Sequence, residues 1–191
     1  MTSVEFHSLV PGRWKDFEQL FGPRGACGGC WCMYWKLSRR DFENGQGEPN
    51  RLAQKANVDC GCTPGLLAYV DGIPAGWVAV EPREQYPGLS RSRILKPLDD
   101  RRVWSVTCFF VDKHYRGQGL TVKLLKAAVG YVKSKGGRVV EGYPVEPRQE
   151  FISRLKQRLL TPASVKLEVP SRIRQLFPAI AGIFGGIILI W

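Results

Sequence analysis

The segment from Val103 to Val145 constrains the fold more than any other. "VWSVTCFFV" (103–111) is a nearly unbroken apolar run of strand length, the pattern of a buried strand. The chain breaks at "HYRGQG", and from Leu120 to Lys135 apolar residues recur at helical spacing until Gly136-Gly137 stops them. "RVVEGYPV" (138–145) is short and rich in valine and reads as a second strand. Two strands joined through one helix cannot form a hairpin. They are expected to lie parallel, through a right-handed crossover.

The rest of the chain must supply the remaining layers. In "GLLAYVDGIPAGWVAVEP" two apolar runs flank Asp71-Gly72, a two-residue turn signal, so "LLAYV" and "GWVAV" are expected as antiparallel neighbours. "PGRWKDFEQLFG" reads as a helix with Trp14, Phe17, Leu20 and Phe21 on one face, ended by Gly22-Pro23. The second half of "SRRDFENGQGEPNRLAQKANV" suits another helix, and "REQYPGLSRSRILKPLDDRR" is a long polar connection. The order helix, helix, hairpin, strand, helix, strand predicts an α+β fold with a mixed sheet. A chain of 191 residues, 44% hydrophobic, is large enough to bury one core.

The junction after Val111 carries the first chemical signal. Gly117 and Gly119 free the backbone for a close approach to a ligand. A helix starting near Gly119 leaves its first N–H groups unpaired, with partial positive charge at that end. Together they suit a phosphate, and Arg116 adds a fixed cation with a two-pronged donor. The Walker pattern GxxxxGK[ST] is absent, and "GQGLTV" lacks the third glycine of the dinucleotide fingerprint. The alternative is a tight turn with an exposed arginine. A net charge of +11 favours anionic partners but is spread along the chain.

A strand ending in Val, then Arg116-Gly117-Gln118-Gly119-Leu120-Thr121 opening an amphipathic helix, resembles motif A, [RQ]xxGx[GA], of the GNAT superfamily of acyl-CoA-dependent N-acyltransferases. "GLLAYVDGIPAGWVAV" is similar to that family's central hairpin. "GACGGCWCMYW", "LSRSRILKP" and "VEGYPVEP" resemble a bacterial subgroup of it. Thr121 and Lys113 depart from the family's usual small residue and proline. The resemblance covers roughly residues 5–147. It implies a mainly antiparallel sheet flanked by helices and acetyl-CoA as co-substrate. The pantetheine arm would pair with the backbone of Phe109 and Val111. The pyrophosphate would lie on the segment Arg116, Gly117, Gln118, Gly119 and Thr121. The implied reaction moves an acetyl group to a primary amine of a small molecule or peptide.

Acyl transfer to an amine needs a proton acceptor for the amine and a proton for the departing thiolate. The candidates are Glu81 and Glu141 as base and Tyr143 as acid; for each, an ordinary strand-end or packing role competes. The competing functions are an acyl-CoA-binding protein with impaired catalysis and a basic nucleic-acid or zinc-binding protein. No motif supports nucleic acid as a partner, and none is expected. Cys27, Cys30, Cys32, Cys60 and Cys62 are read chiefly as packing or pocket-lining residues, then as zinc ligands, then as reactive thiols; Cys108 is read as core. The "CWCMYW" aromatics are candidates to wall the acceptor pocket. No metal site is expected. Six cysteines and no export signal lead us to expect a reducing cytoplasm, and a monomer or homodimer.

Two segments are expected: an acyl-CoA-binding domain over 1–147 and a divergent basic and apolar end over 148–191. The uncharged run from Leu176 to Trp191 is shorter than the ~18–20 residues that span a bilayer. Three readings of this end stand in descending order: an altered terminus, a replacement that packs on the sheet, and a membrane-seeking end.

Overall fold

The computed structural model describes residues 2–93, 95–142 and 187–190. Its elements are β1 (Val4–Ser8), α1 (Trp14–Phe21), α2 (Arg39–Asn44), α3 (Glu48–Asp59), β2 (Gly65–Val70), β3 (Ile73–Pro82), α4 (Pro87–Arg91), β4 (Trp104–Val111), α5 (Leu120–Ser134), β5 (Val139–Gly142) and β6 (Ile187–Ile190). The strands form one sheet in the order β1-β2-β3-β4-β5-β6. The pairs from β1 to β4 are antiparallel, and β4 pairs parallel with β5. This is the expected α+β architecture with its parallel crossover through α5. The expected boundary after Pro147 lies outside the described residues. Of the C-terminal segment, only β6 is described, at the sheet edge beside β5.

The hairpin turns where its sequence requires. Asp71 and Gly72 both adopt positive φ, 49° and 80°, as a two-residue turn matched to strand twist demands. Ser3 N–H donates to Asp71 Oδ1 at 2.8 Å, tying β1 to that turn. The sequence reading began with a helix, whereas the structure begins with β1. Its five residues pair with Leu66–Val70, 58 to 66 positions away, and Val4 and Phe6 pack on the core.

Strand alternation divides the core between two faces. Leu66, Ala68, Val78, Val80, Val106 and Val140 meet the apolar stripe of α5, Leu120, Leu124, Ala128 and Val132. The opposite face carries Leu67, Tyr69, Trp77 and Ala79 against Trp14, Phe17, Leu20 and Phe21 of α1. Trp77 is fully buried, with Phe17 at 4.8 Å and Phe21 at 6.2 Å between ring centroids, both edge-to-face. Trp31 and Met33 are buried, so Trp31 serves this aromatic core, while Tyr34 is exposed. No helix among the described residues is long and apolar enough to cross a membrane.

Gly65 sits where β2 passes the Trp77 ring. A Cβ there would lie 2.0 Å from the Val78 carbonyl oxygen and 2.8 Å from the indole. Gly65→Ala should therefore destabilise the fold by roughly 1–3 kcal/mol, the range for overpacking a closed core. Urea unfolding measures this, and an unchanged midpoint would show that β2 shifts freely.

Candidate functional site

β4 and its continuation build the site. Ala79 pairs with Cys108 but Val80 pairs with Val106, so Thr107 is an extra residue, a bulge in β4. Pairing with β5 covers only Trp104↔Val140, Ser105↔Glu141 and Val106↔Gly142. From Cys108 to Val111, β4 keeps its β3 partner; among the described residues its pairing with β5 ends at Val106 and Gly142. Phe109, beyond the bulge, is 38% exposed, unusual for an aromatic in a central strand.

At the C-terminal end of β4, Asp112 Oδ1 accepts from His114 N–H at 2.9 Å and fixes the turn. That N–H, first among the donors around it, also holds the Asp112 carboxyl below its ordinary pKa. Gly117 and Gly119 have φ of 77° and 75°, and no atom lies within 4 Å of where either Cβ would be. Gly119 caps α5 without any side-chain cap on the helix end. Arg116 Nε donates to the Val111 carbonyl at 2.9 Å, and Gln118 Nε2 to the His114 carbonyl at 3.0 Å. The result is an open concavity of backbone at an uncapped helix N-terminus, beside an arginine, which fits the pyrophosphate of a coenzyme A thioester.

On the sheet face opposite α5, Glu81, Ser105 and Glu141 stand side by side across β3, β4 and β5. Each carboxylate meets a cation. Lys36 Nζ lies 2.6 Å from Glu81 Oε2, with both side chains under a tenth exposed. Arg83 and the Ser105 hydroxyl donate to Glu141 Oε1 at 2.5 Å each. The hydroxyl of Tyr86 is held beside Thr107 and Glu81, and Lys36 lies 5.5 Å over its ring. Burial first, then the Glu81 charge, pushes the Tyr86 phenol well above its usual pKa, so it stays neutral. The structure thus brings Glu81 and Glu141 into one row; Tyr143 lies outside the described residues. Lys36, Arg83, Ser105 and Tyr86 were not singled out from the sequence. Their partners are remote in the chain, and no local pattern marks them.

Beside this row lies a cleft of about 290 Å³ lined by Arg83, Glu84, Asp99, Asp100, Arg101 and Glu141, among others. Asp99 is engaged by Arg101 at 2.6 Å. The six cysteines are free, and no group of three metal-ligating side chains converges among the described residues.

The family model of the GNAT acetyltransferases matches residues 31–151. The chain belongs to the GNAT acetyltransferase family. No curated protein matches the sequence significantly. Among solved structures, the chain is similar to the aminoglycoside N-acetyltransferase AAC(6')-Iy in complex with CoA, at 14% identity and TM-score 0.53, over 89% of this chain and 95% of that one. The same enzyme with a CoA–acetylneamine bisubstrate analogue aligns at 15% identity and TM-score 0.53, over 88% and 97%. An aminoglycoside acetyltransferase from an uncultured soil metagenomic sample aligns at 16% identity and TM-score 0.51, over 88% and 98%. At such identities the likeness shows the fold alone, the expected GNAT sheet with its flanking helices.

Lys36→Met should strand the Glu81 carboxylate in the core. The expected loss is about 3–5 kcal/mol in urea unfolding, and Glu81→Gln in the same background should recover much of it. A loss that Glu81→Gln does not relieve would mean that Lys36 acts through its stem and not its charge. Alkaline pH offers a second test. Unfolded tyrosine ionises near ~10, whereas folded Tyr86 holds its proton to higher pH. The folded state therefore binds the extra proton, and stability falls as pH rises above about 10. Tyr86→Phe should flatten that part of the slope in denaturant midpoints; an unchanged slope would assign it elsewhere.

Proposed function

We propose that the chain is an acetyl-CoA-dependent N-acetyltransferase acting on a primary amine of a small molecule or peptide. The observation that carries this reading is the open, uncapped backbone concavity at Gly117–Gly119, set directly beyond the end of β4. In this proposal the backbone of Phe109 and Val111 receives the pantetheine arm. Arg116, Gly117, Gln118, Gly119 and Thr121 hold the pyrophosphate. The Val111 carbonyl already accepts from Arg116, so the arginine braces the loop as well as offering charge. Bound acetyl-CoA supplies the activated acyl group, so the chain needs no nucleophile of its own.

The residues of the row then handle protons. An amine acceptor arrives as a cation and must lose a proton before it can attack. Glu141, which lines the cleft, is the proposed acceptor of that proton, through a water. The fully buried Glu81 is the weaker candidate for this step, because its carboxylate is committed to Lys36. Tyr143 remains the proposed acid. The acidic side chains around the cleft favour a cationic acceptor. The acyl-CoA-binding domain is proposed to extend over 1–147, and the free thiols fit a reducing, cytoplasmic setting.

Calorimetry with acetyl-CoA and turnover on a panel of amines test this together. Arg116→Ala should weaken acetyl-CoA by roughly 1–3 kcal/mol, the range for a hydrogen bond to a charged group. Gly119→Val, strained at φ 75°, should abolish binding with the sheet intact by circular dichroism. Glu141→Gln should lower kcat by about 100-fold or more with acetyl-CoA affinity retained. Unchanged affinity in both cradle variants would sink the reading. Intact kcat in Glu141→Gln would move the base elsewhere.

A further inference from the structure

The far end of α5 from the Gly117–Gly119 cradle carries a second concavity. There the chain leaves the helix, turns through Gly136-Gly137 and enters β5 beside the start of β4. A groove of about 640 Å³ opens at that turn, lined by Glu84, Arg101, Arg102, Trp104, Lys135 and Arg138, among others. Asp99 already engages Arg101, whereas among the described residues no ion pair involves Arg102, Lys135 or Arg138. The backbone that carries these cations is fixed. Gly136 has φ of 77°, its N–H donates to the Lys133 carbonyl at 3.0 Å, and the Gly137 N–H donates to the Val132 carbonyl at 2.9 Å. A Cβ on Gly137 would lie 2.7 Å from Trp104 Nε1, so the turn is packed directly on the indole. Lys135 rests 5.6 Å over the Tyr131 ring, which meets Trp104 edge to face at 5.9 Å. Cations at the end of α5 complement its dipole. Arg102 lies outside that helix, on the approach to β4, and the dipole does not account for it.

The groove and the cleft beside Glu141 share Glu84, Arg101, Val103 and Val139 in their walls, so the basic hollow adjoins the acidic one. Arg138 precedes Glu141 by three residues of extended chain, roughly 10 Å. We infer that the groove binds a phosphate group, and that the ligand carrying it is an amine whose other end reaches the Glu141 cleft. Two guanidinium forks and an ammonium suit a phosphate monoester dianion better than a singly charged carboxylate. The spacing between groove and cleft sets the length of the acceptor. This substrate class rests on the proposed acetyl transfer; the phosphate site itself does not.

Calorimetry with butyl phosphate tests the site. Arg102 and Arg138 are exposed, so replacing them spares the core. Arg102→Gln with Arg138→Gln should weaken butyl phosphate about tenfold or more, as expected when charge-assisted hydrogen bonds are lost. Arg40→Gln with Lys126→Gln removes the same charge from exposed positions outside the groove. Equal weakening by that pair would reduce the effect to general attraction by a basic chain and overturn the site. Loss of binding in Arg116→Ala instead would place the phosphate in the cradle and overturn it too. Turnover with acetyl-CoA on matched aminoalkyl phosphates and amino alcohols of increasing length tests the acceptor. The phosphates should be favoured by about tenfold in kcat/KM, and the Arg102→Gln, Arg138→Gln chain should lose that preference. Turnover of both series without preference would overturn the acceptor class and leave acetyl transfer intact. No turnover of any amine would sink acetyl transfer and the acceptor class together, and butyl phosphate binding alone would decide the site.

Discussion

The structure depends on how β4 is shared between its two neighbours. It pairs with β3 on both sides of the Thr107 bulge and, among the described residues, with β5 at Trp104, Ser105 and Val106. A central strand left unpaired on one side has N–H and C=O groups to satisfy, a state that a fold keeps only where something else supplies the hydrogen bonds. The bulge at Thr107 marks the transition. It rotates the strand so that Val106 faces α5 while Cys108 and Phe110 face α1, and it strengthens the local twist that carries β4 away from β5. The Trp77 core on one face and the α5 stripe on the other anchor β4 on both sides of the bulge.

Below the bulge, polarity is buried at a cost that only pairing offsets. Glu81, Ser105 and Glu141 form a row about two strand spacings wide, roughly 10 Å. Removing two carboxylates from water is unfavourable by several kcal/mol each unless a cation and further hydrogen bonds replace the hydration. Lys36 comes from the N-terminal segment and Arg83 from the end of β3, so each neutralisation ties a different segment to the sheet. The row is first of all a fastening. Glu141, the member that reaches the cleft, is the one whose carboxylate a substrate can meet.

Much of this was legible because it is local. Asp71-Gly72 dictates its own turn, the face of α1 follows from the spacing of Trp14, Phe17, Leu20 and Phe21, and the junction at Arg116–Thr121 declares both its glycines and its helix start. What escaped the sequence is non-local. β1 is a five-residue edge strand with weak alternation, and only its partner β2, far along the chain, makes it a strand. Lys36 looks like any surface lysine until Glu81 is placed against it. Trp31 sits in a segment whose aromatics suggested a pocket wall, yet the left-handed turn at Trp31 and Cys32 sends the indole into the core. No composition rule anticipates a backbone turn that the surrounding packing imposes.

The cradle shows how such a site is kept ready. A flexible, glycine-rich turn would lose conformational entropy on gripping an anion, and that loss would be subtracted from affinity. Here the turn is already braced by side chains bonding to backbone: Asp112 to His114 N–H, Gln118 to the His114 carbonyl and Arg116 to the Val111 carbonyl. None of the three braces caps α5, so rigidity comes without consuming the donors that face an anion. A Ser or Asp at position 119 would place a side-chain acceptor at the helix start, where it would compete with phosphate for the same N–H groups. The left-handed φ of Gly119 raises the cost of that replacement. Glycine there serves two ends at once, the turn geometry and the absence of a built-in rival for the ligand.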